Sequence, residues 1–132
     1  MSDFDLLMRH PAQDIGIAKG KIVGLGNNLR GSARNEIDAS ALEIFPGVID
    51  AHVHFNEPGR TDWESFATGS RAAAAGGTTT IFDMPLNAHP PTIDGPSFDA
   101  KRAAAEKDSL VDFGLWGGLV PGNLKELETL RD

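Results

Sequence analysis

Residues 46–60 read PGVIDAHVHFNEPGR, and this stretch decides the fold. An apolar run leads into Asp50-Ala51-His52-Val53-His54 and breaks at a polar turn containing Pro58-Gly59. The run predicts a β-strand over about residues 47–55. Successive strand side chains point to opposite faces, so Asp50, His52 and His54 share one face while Ile49, Ala51, Val53 and Phe55 share the other. Two imidazoles on one face, at the C-terminal end of a strand, can together hold one divalent metal ion. The plain alternative is a pair of hydrogen-bonded structural histidines under a loop. A lone histidine is usually structural, but two on one face with Asp50 beside them favour ligation. Asp50 has two open roles: it accepts the second N–H of an imidazole, or it bonds backbone N–H groups where the strand begins. Two histidines do not complete a metal site.

The chain changes character near Pro46. Before it lie short β-like pieces at about 4–8, 15–18, 21–25 and 41–45, separated by Gly20, Gly26-Asn27-Asn28 and the polar stretch 31–35. They predict a small, mostly antiparallel sheet. After Pro46, strands and helices alternate. A helix is expected to open at Thr61-Asp62-Trp63-Glu64 as a capping box, with Trp63, Phe66, Ala67, Ala73 and Ala74 on its apolar side and Gly76-Gly77 as its stop. The β-branched run 78–84 reads as the second strand and 111–116 as the third. Pro96 suits the start of the helix between them. A last helix is expected from Asn123, with Glu126 completing its cap. Three βα units at about 30-residue spacing imply a parallel sheet with right-handed crossovers.

The fold class is therefore α/β. A doubly wound sheet predicts a glycine-rich phosphate loop after its first strand, and Asn56-Glu57-Pro58-Gly59-Arg60 lacks that spacing. The (β/α)8 TIM-type barrel is favoured, and a complete one needs about 250 residues. With 132 residues, the chain reads as part of a small β-sandwich (1–45) followed by the first three βα units of a barrel (46–132). It is expected to be an N-terminal fragment of a larger enzyme.

A net charge of -7 argues against nucleic acid or an anionic membrane surface as a partner. With no cysteine there is neither a disulfide nor a thiolate metal site, so a metal takes His, carboxylate, water or a modified side chain. No apolar run approaches the roughly 20 residues of a membrane span. The opening MSDFDLLMRH has acids early and no basic segment leading into an apolar one, so no signal peptide is expected and the default compartment is cytoplasmic.

Three further stretches fall after strands, on the same rim. Asn56–Arg60 is taken alone as a solvated turn with an Arg–Glu pair, Met84-Pro85-Leu86-Asn87 as a rigid strand end, and Gly117–Pro121 as the approach to a helix. An inward carboxylate is open to Asp83, and His10 and His89 read as surface residues.

These words resemble a known family. PGVIDAHVHFNEPGR, DWESFATGSRAAAAGGTTTIFDMPLN and VDFGLWGGLVPGN are closely similar to the allantoinases, cyclic amidohydrolases of the amidohydrolase superfamily. The resemblance covers the chain from about Asp3 and is tightest over 46–87. It implies a barrel beside a β-sandwich built from both termini, and a binuclear divalent metal centre, usually two zinc ions per full-length subunit. His52 and His54 match the first two ligands. The bridging carboxylated lysine, two more histidines and a proton-shuttling aspartate are implied beyond residue 132, so no catalytic residue is expected here. The implied reaction is metal-assisted hydrolysis of a small cyclic ureide, allantoin to allantoate, in a protein that is often a homo-tetramer.

Dihydroorotase is the nearest rival. It usually carries arginine two residues after the second histidine, pairing with a substrate carboxylate, where this chain has Asn56. It also tends to read Met-Pro-Asn in place of Met84-Pro85-Leu86-Asn87. On the resemblance, Asn56 and Asn87 are the substrate-binding candidates, and both favour a neutral ring. Hydantoinases and dihydropyrimidinases differ more in the turn after the histidines. Non-catalytic structural relatives of the superfamily usually lose the two histidines kept here. The link Met8–Gln13 is shorter than in relatives, which is expected to trim the sandwich and not the metal site. With two ligands and open sheet edges, the isolated chain is expected to be inactive and poorly soluble.

Overall fold

A computed structural model describes residues 2–131. The chain divides into two compact units, Met1–Pro46 and Gly47–Asp132.

The first unit is a four-stranded sheet of β1 (Phe4–Arg9), β2 (Asp14–Ala18), β3 (Lys21–Gly26) and β4 (Ala33–Asp38), in the order β3-β2-β1-β4. β1–β2 and β2–β3 are antiparallel, whereas β1–β4 is parallel. Lys19 and Gly20 both have positive φ, at 51° and 70°, between the paired residues Ala18 and Lys21. That is the backbone a two-residue hairpin needs to match strand twist. The strand expected at 41–45 is absent, and the fourth strand is Ala33–Asp38, which overlaps the stretch read as a polar separator. Ala33–Asp38 is an edge strand held by its backbone ladder to β1, with most of its side chains exposed, so hydrophobicity does not mark it. The apolar side chains of 41–45 are instead largely uncovered, Phe45 at 78 % exposure.

The short link after β1 is tied by charge. Arg9 Nη1 donates to Asp14 Oδ2 at 2.8 Å and to Leu29 O at 2.9 Å, while Arg9 Nε donates to Glu36 Oε1 at 2.7 Å. Asp14 is buried and also accepts the N–H groups of His10 (3.2 Å) and Leu29 (3.0 Å). His10, read as a surface residue, is half-buried: its Nδ1 accepts from Ala12 N–H at 3.2 Å and its Nε2 lies 3.1 Å from Leu42 O.

The second unit is a parallel sheet of β5 (Val48–Val53), β6 (Thr78–Asp83) and β7 (Asp112–Leu115) in sequential order. Helix α1 (Phe66–Ala75) follows β5 and α2 (Gly95–Asp108) follows β6. A 3-10 turn, Leu124–Glu126, runs into the short α3 (Leu127–Arg131) after β7. Phe55, Phe66, Ile81 and Ala105 are the buried core, with Val53, Ala73, Val111, Phe113 and Leu115 packed on it. Phe55 meets Phe66 edge-on, ring centroids 5.6 Å apart. No helix among the described residues is long and apolar enough to cross a membrane.

Two helix starts differ from expectation. α1 opens at Phe66 with Ser65 as its cap: Ser65 Oγ accepts from Thr68 N–H at 3.1 Å and Thr68 Oγ1 accepts from Ser65 N–H at 3.2 Å. Thr61 does not cap because its hydroxyl is turned to Glu57, and Trp63 is 67 % exposed with the Arg60 guanidinium over its ring. Gly76-Gly77 ends the helix as expected, with Gly77 at φ 83°. At the last helix, Asn123 makes no capping bond. Its carboxamide accepts from Val120 N–H and donates to Ile93 O and Gly118 O, so it clamps the loop instead. α2 begins as the sequence indicates, with Pro96 in its first turn and Asp94 capping Ser97 N–H at 2.8 Å.

The Arg9 guanidinium, then the Leu29 and His10 N–H groups, hold the Asp14 carboxyl below the usual carboxylate range. A lowered folded-state value means its stabilisation is complete above the unfolded value of about 3.9 and is lost as pH falls through the folded value. An acid titration followed by circular dichroism is expected to show the first unit loosening in that window, and Asp14→Asn to remove this component.

Candidate metal centre and rim

Parallel strands put all their C-terminal ends on one side, and the residues singled out as chemical candidates gather there. β5 ends at Val53, whose side chain packs on the core, and Phe55 is buried beside it. His52 and His54 are exposed on the other side of the chain. Their Nε2 atoms stand 3.2 Å apart, with ring centroids 5.1 Å apart and planes inclined by 66°. Two nitrogens on a tetrahedral zinc ion, each at about 2.0–2.1 Å, lie about 3.3–3.4 Å from one another. The 3.2 Å spacing fits two ligands of one ion, and equally an N–H···N hydrogen bond between the two rings. Among the described residues, no third His, Asp or Glu joins them to form a fuller ligating group.

Asp50 is exposed and its Oδ1 accepts the backbone N–H of His52 at 3.1 Å. Of the two roles left open, the structure displays the bond to backbone. Trp116, at the end of β7, reaches across β6 and donates its indole N–H to Ala51 O at 3.1 Å, so the carbonyl between Asp50 and His52 is also held.

Asn56 is 7 % exposed, has φ 44°, and its Oδ1 is buried without a hydrogen-bond partner. Asparagine is among the few side chains that tolerate this left-handed backbone. Asn87 is half-buried in the loop after β6. These two loops are stitched through backbone: His89 N–H donates to Pro58 O at 2.7 Å. Gly59 passes so close, at φ 88°, that a Cβ there overlaps the carbonyl oxygen of His89. The loop after β7 joins in turn through Gly118 N–H to Thr92 O at 2.8 Å, and Thr92 N–H bonds Pro85 O at 2.8 Å.

Two features of this rim escaped sequence reading. Glu57 makes no pair with Arg60; its Oε2 accepts the N–H of Phe66, at 2.7 Å, and so places a carboxylate at the start of α1. Asp83 faces the helix layer and not the imidazole face: its Oδ2 lies 2.5 Å from Lys101 Nζ of α2, and its Oδ1 accepts the N–H of Phe55 at 2.9 Å. The apolar spacing of α2 gives no sign that Lys101 is buried. A lysine on a helix face next to Ala residues was the available hint.

Residues 44–131 match the model of the amidohydrolase family. The chain belongs to that family. Among amidohydrolases it is 57 % identical over 138 residues to the allantoinase of Rubrobacter xylanophilus, covering 98 % of this chain and 30 % of that protein. It is 59 % identical over 119 residues to the allantoinase of Solibacter usitatus, covering 90 % and 26 %. The solved structure of L-hydantoinase (dihydropyrimidinase) from Arthrobacter aurescens superposes with a TM-score of 0.89 at 33 % identity, covering 98 % of this chain and 31 % of that one. D-hydantoinase from Bacillus sp. AR9 superposes at 0.69 with 28 % identity, covering 97 % and 29 %. The chain thus spans about three tenths of the length of these relatives. Amidohydrolases are generally metal-dependent, which agrees with the imidazole pair.

Replacing Gly59 with alanine adds a strained backbone and a clash with His89, and is expected to cost about 1–3 kcal/mol. Urea denaturation of the Gly59→Ala variant measures it.

Proposed function

We propose that this chain forms the opening part of a metal-dependent cyclic amide hydrolase of the allantoinase type, converting allantoin and water to allantoate. The observation that carries the reading is the His52–His54 pair, Nε2 to Nε2 at 3.2 Å, at the C-terminal end of the first parallel strand. The names of the most similar relatives supply the substrate. In the same reading, residues 1–45 are part of a small β-sandwich and 46–132 are the first three βα units of a (β/α)8 barrel. The exposure of Val48 (53 %) and Ile49 (65 %) supports this, because parallel sheets are almost always covered on both faces.

Within it, His52 and His54 hold one ion, and Asp50 fixes the backbone between them. A bound divalent metal, two zinc ions per complete subunit here, supplies a Lewis acid and an acidified water. Asn56 carries a carboxamide whose Oδ1 has no hydrogen-bond partner, an acceptor suited to an N–H of a neutral ureido group and not to a carboxylate. Asn87 contributes a second amide from the neighbouring loop. The proton-transferring groups come from outside these residues. The complete protein is taken to be a cytoplasmic homo-tetramer.

The likeness to L-hydantoinase at a TM-score of 0.89 supports a second reading, hydrolysis of a hydantoin or dihydropyrimidine ring by the same centre. Turnover of allantoin, dihydroorotate and hydantoin by the whole expressed polypeptide separates them. Allantoin is expected to be fastest; faster dihydroorotate overturns the role given to Asn56, and faster hydantoin favours the second reading. The 132-residue chain alone is expected to show no turnover and only weak zinc binding by calorimetry. His52→Ala is expected to lower zinc content in the whole polypeptide.

A further inference from the structure

Asp83 and Lys101 have side chains 0 % and 1 % exposed. Removing two charges from water costs more than their attraction returns in many proteins, and apolar residues of similar volume often replace such a pair without loss. An apolar replacement does not, however, supply an acceptor for the N–H of Phe55. The β5–β6 ladder finishes where Met84 N–H donates to Val53 O at 2.9 Å, and Phe55 lies beyond the end of β5. The Phe55 N–H is bound by Asp83 Oδ1. That N–H belongs to the peptide joining His54 to Phe55, so its direction sets the direction in which His54 leaves the chain. On the far side, Asn56 turns into positive φ. Lys101 pairs its charge with Oδ2, which has no hydrogen-bond partner, and also reaches Met84 O, just past the end of β6, at 3.4 Å.

We propose that Asp83 and Lys101 are a positioning pair that holds the His54–Phe55 peptide so that the His54 imidazole meets His52 on one metal ion. The proposal rests on the metal reading above. Neither residue touches the ion; the pair acts through one backbone bond.

Two double variants of the whole expressed polypeptide separate positioning from plain structural support. Asp83→Leu with Lys101→Met fills the core with apolar atoms and removes the acceptor. Asp83→Asn with Lys101→Met removes both charges and keeps an oxygen for Phe55 N–H. Cobalt(II) serves as the probe, read by its dissociation constant, its visible absorption bands and the thermal midpoint of each variant. The Leu/Met variant is expected to melt close to the parent yet bind cobalt at least about tenfold more weakly, with altered bands. The Asn/Met variant is expected to stay within about threefold of the parent, with parental bands. Cobalt affinity that falls with His52→Ala but not in the Leu/Met variant overturns the positioning role alone. An affinity that His52→Ala leaves unchanged overturns the metal reading and the positioning role with it. Where the Leu/Met variant does not fold, the Asn/Met variant carries the test: a tenfold loss there, with Phe55 N–H still protected from hydrogen exchange, overturns the proposal.

Discussion

The N–H of Phe55 is accepted by the carboxylate of Asp83, and the arrangement of the rim depends on that bond. A strand that ends at Val53 leaves the next residues without a neighbouring ladder, and a buried N–H without an acceptor costs about 1–3 kcal/mol. Asp83 meets the need from the last position of β6, and Lys101 makes the buried carboxylate tolerable from α2. One contact thereby ties two strands and a helix at the level where the chain leaves the sheet. Below it lies the aromatic core of Phe55 and Phe66; above it stand the two imidazoles.

The loops above this contact are joined by main chain more than by side chains. His89 to Pro58, Thr92 to Pro85 and Gly118 to Thr92 are all backbone bonds, and Asn123 adds a carboxamide that bonds three more backbone groups. Backbone bonds of this kind fix loop paths while leaving side chains unspent. Asn56 is buried among these loops and carries an oxygen with no partner. Native proteins leave few buried polar atoms unsatisfied, and those that remain call for an explanation such as a ligand or water.

What the sequence disclosed and what it hid divide along a physical line. β6 and β7 were legible because apolar residues at strand spacing, Ile81, Phe113 and Leu115, meet the core. β5 was legible because an apolar run ends at a polar Pro-Gly turn, although most of its side chains are exposed. α2 was legible because Pro96 marks its start through a local steric rule. Ala33–Asp38 was not, since an edge strand held by backbone bonds to β1 needs no apolar face. Thr61 misled because the capping motif recurs at Ser65–Thr68, and only the path of the loop around Glu57 selects the second. His52 and His54 were legible as neighbours two residues apart on one strand. Lys101 was not, because its partner is on another element and burial of a charge leaves no periodic trace.

The division of labour at this corner also explains where its free energy resides. The imidazoles are exposed, so ordering them draws little on the core, and their neighbour Asp50 is equally open to solvent. The expense of burial falls on Asp83 and Lys101, which lie beneath and never reach the imidazole face. Exposed charges interact weakly and adapt easily, whereas a buried, hydrogen-bonded carboxylate admits one geometry. Placing the rigid pair under the chain and the reactive groups above it lets a single peptide transmit order from the core to the ligands. A chelating pair built this way takes its order through the backbone, from Asp50 at His52 and from Asp83 just after His54. Its precision comes from the sheet and from the helix packed on it.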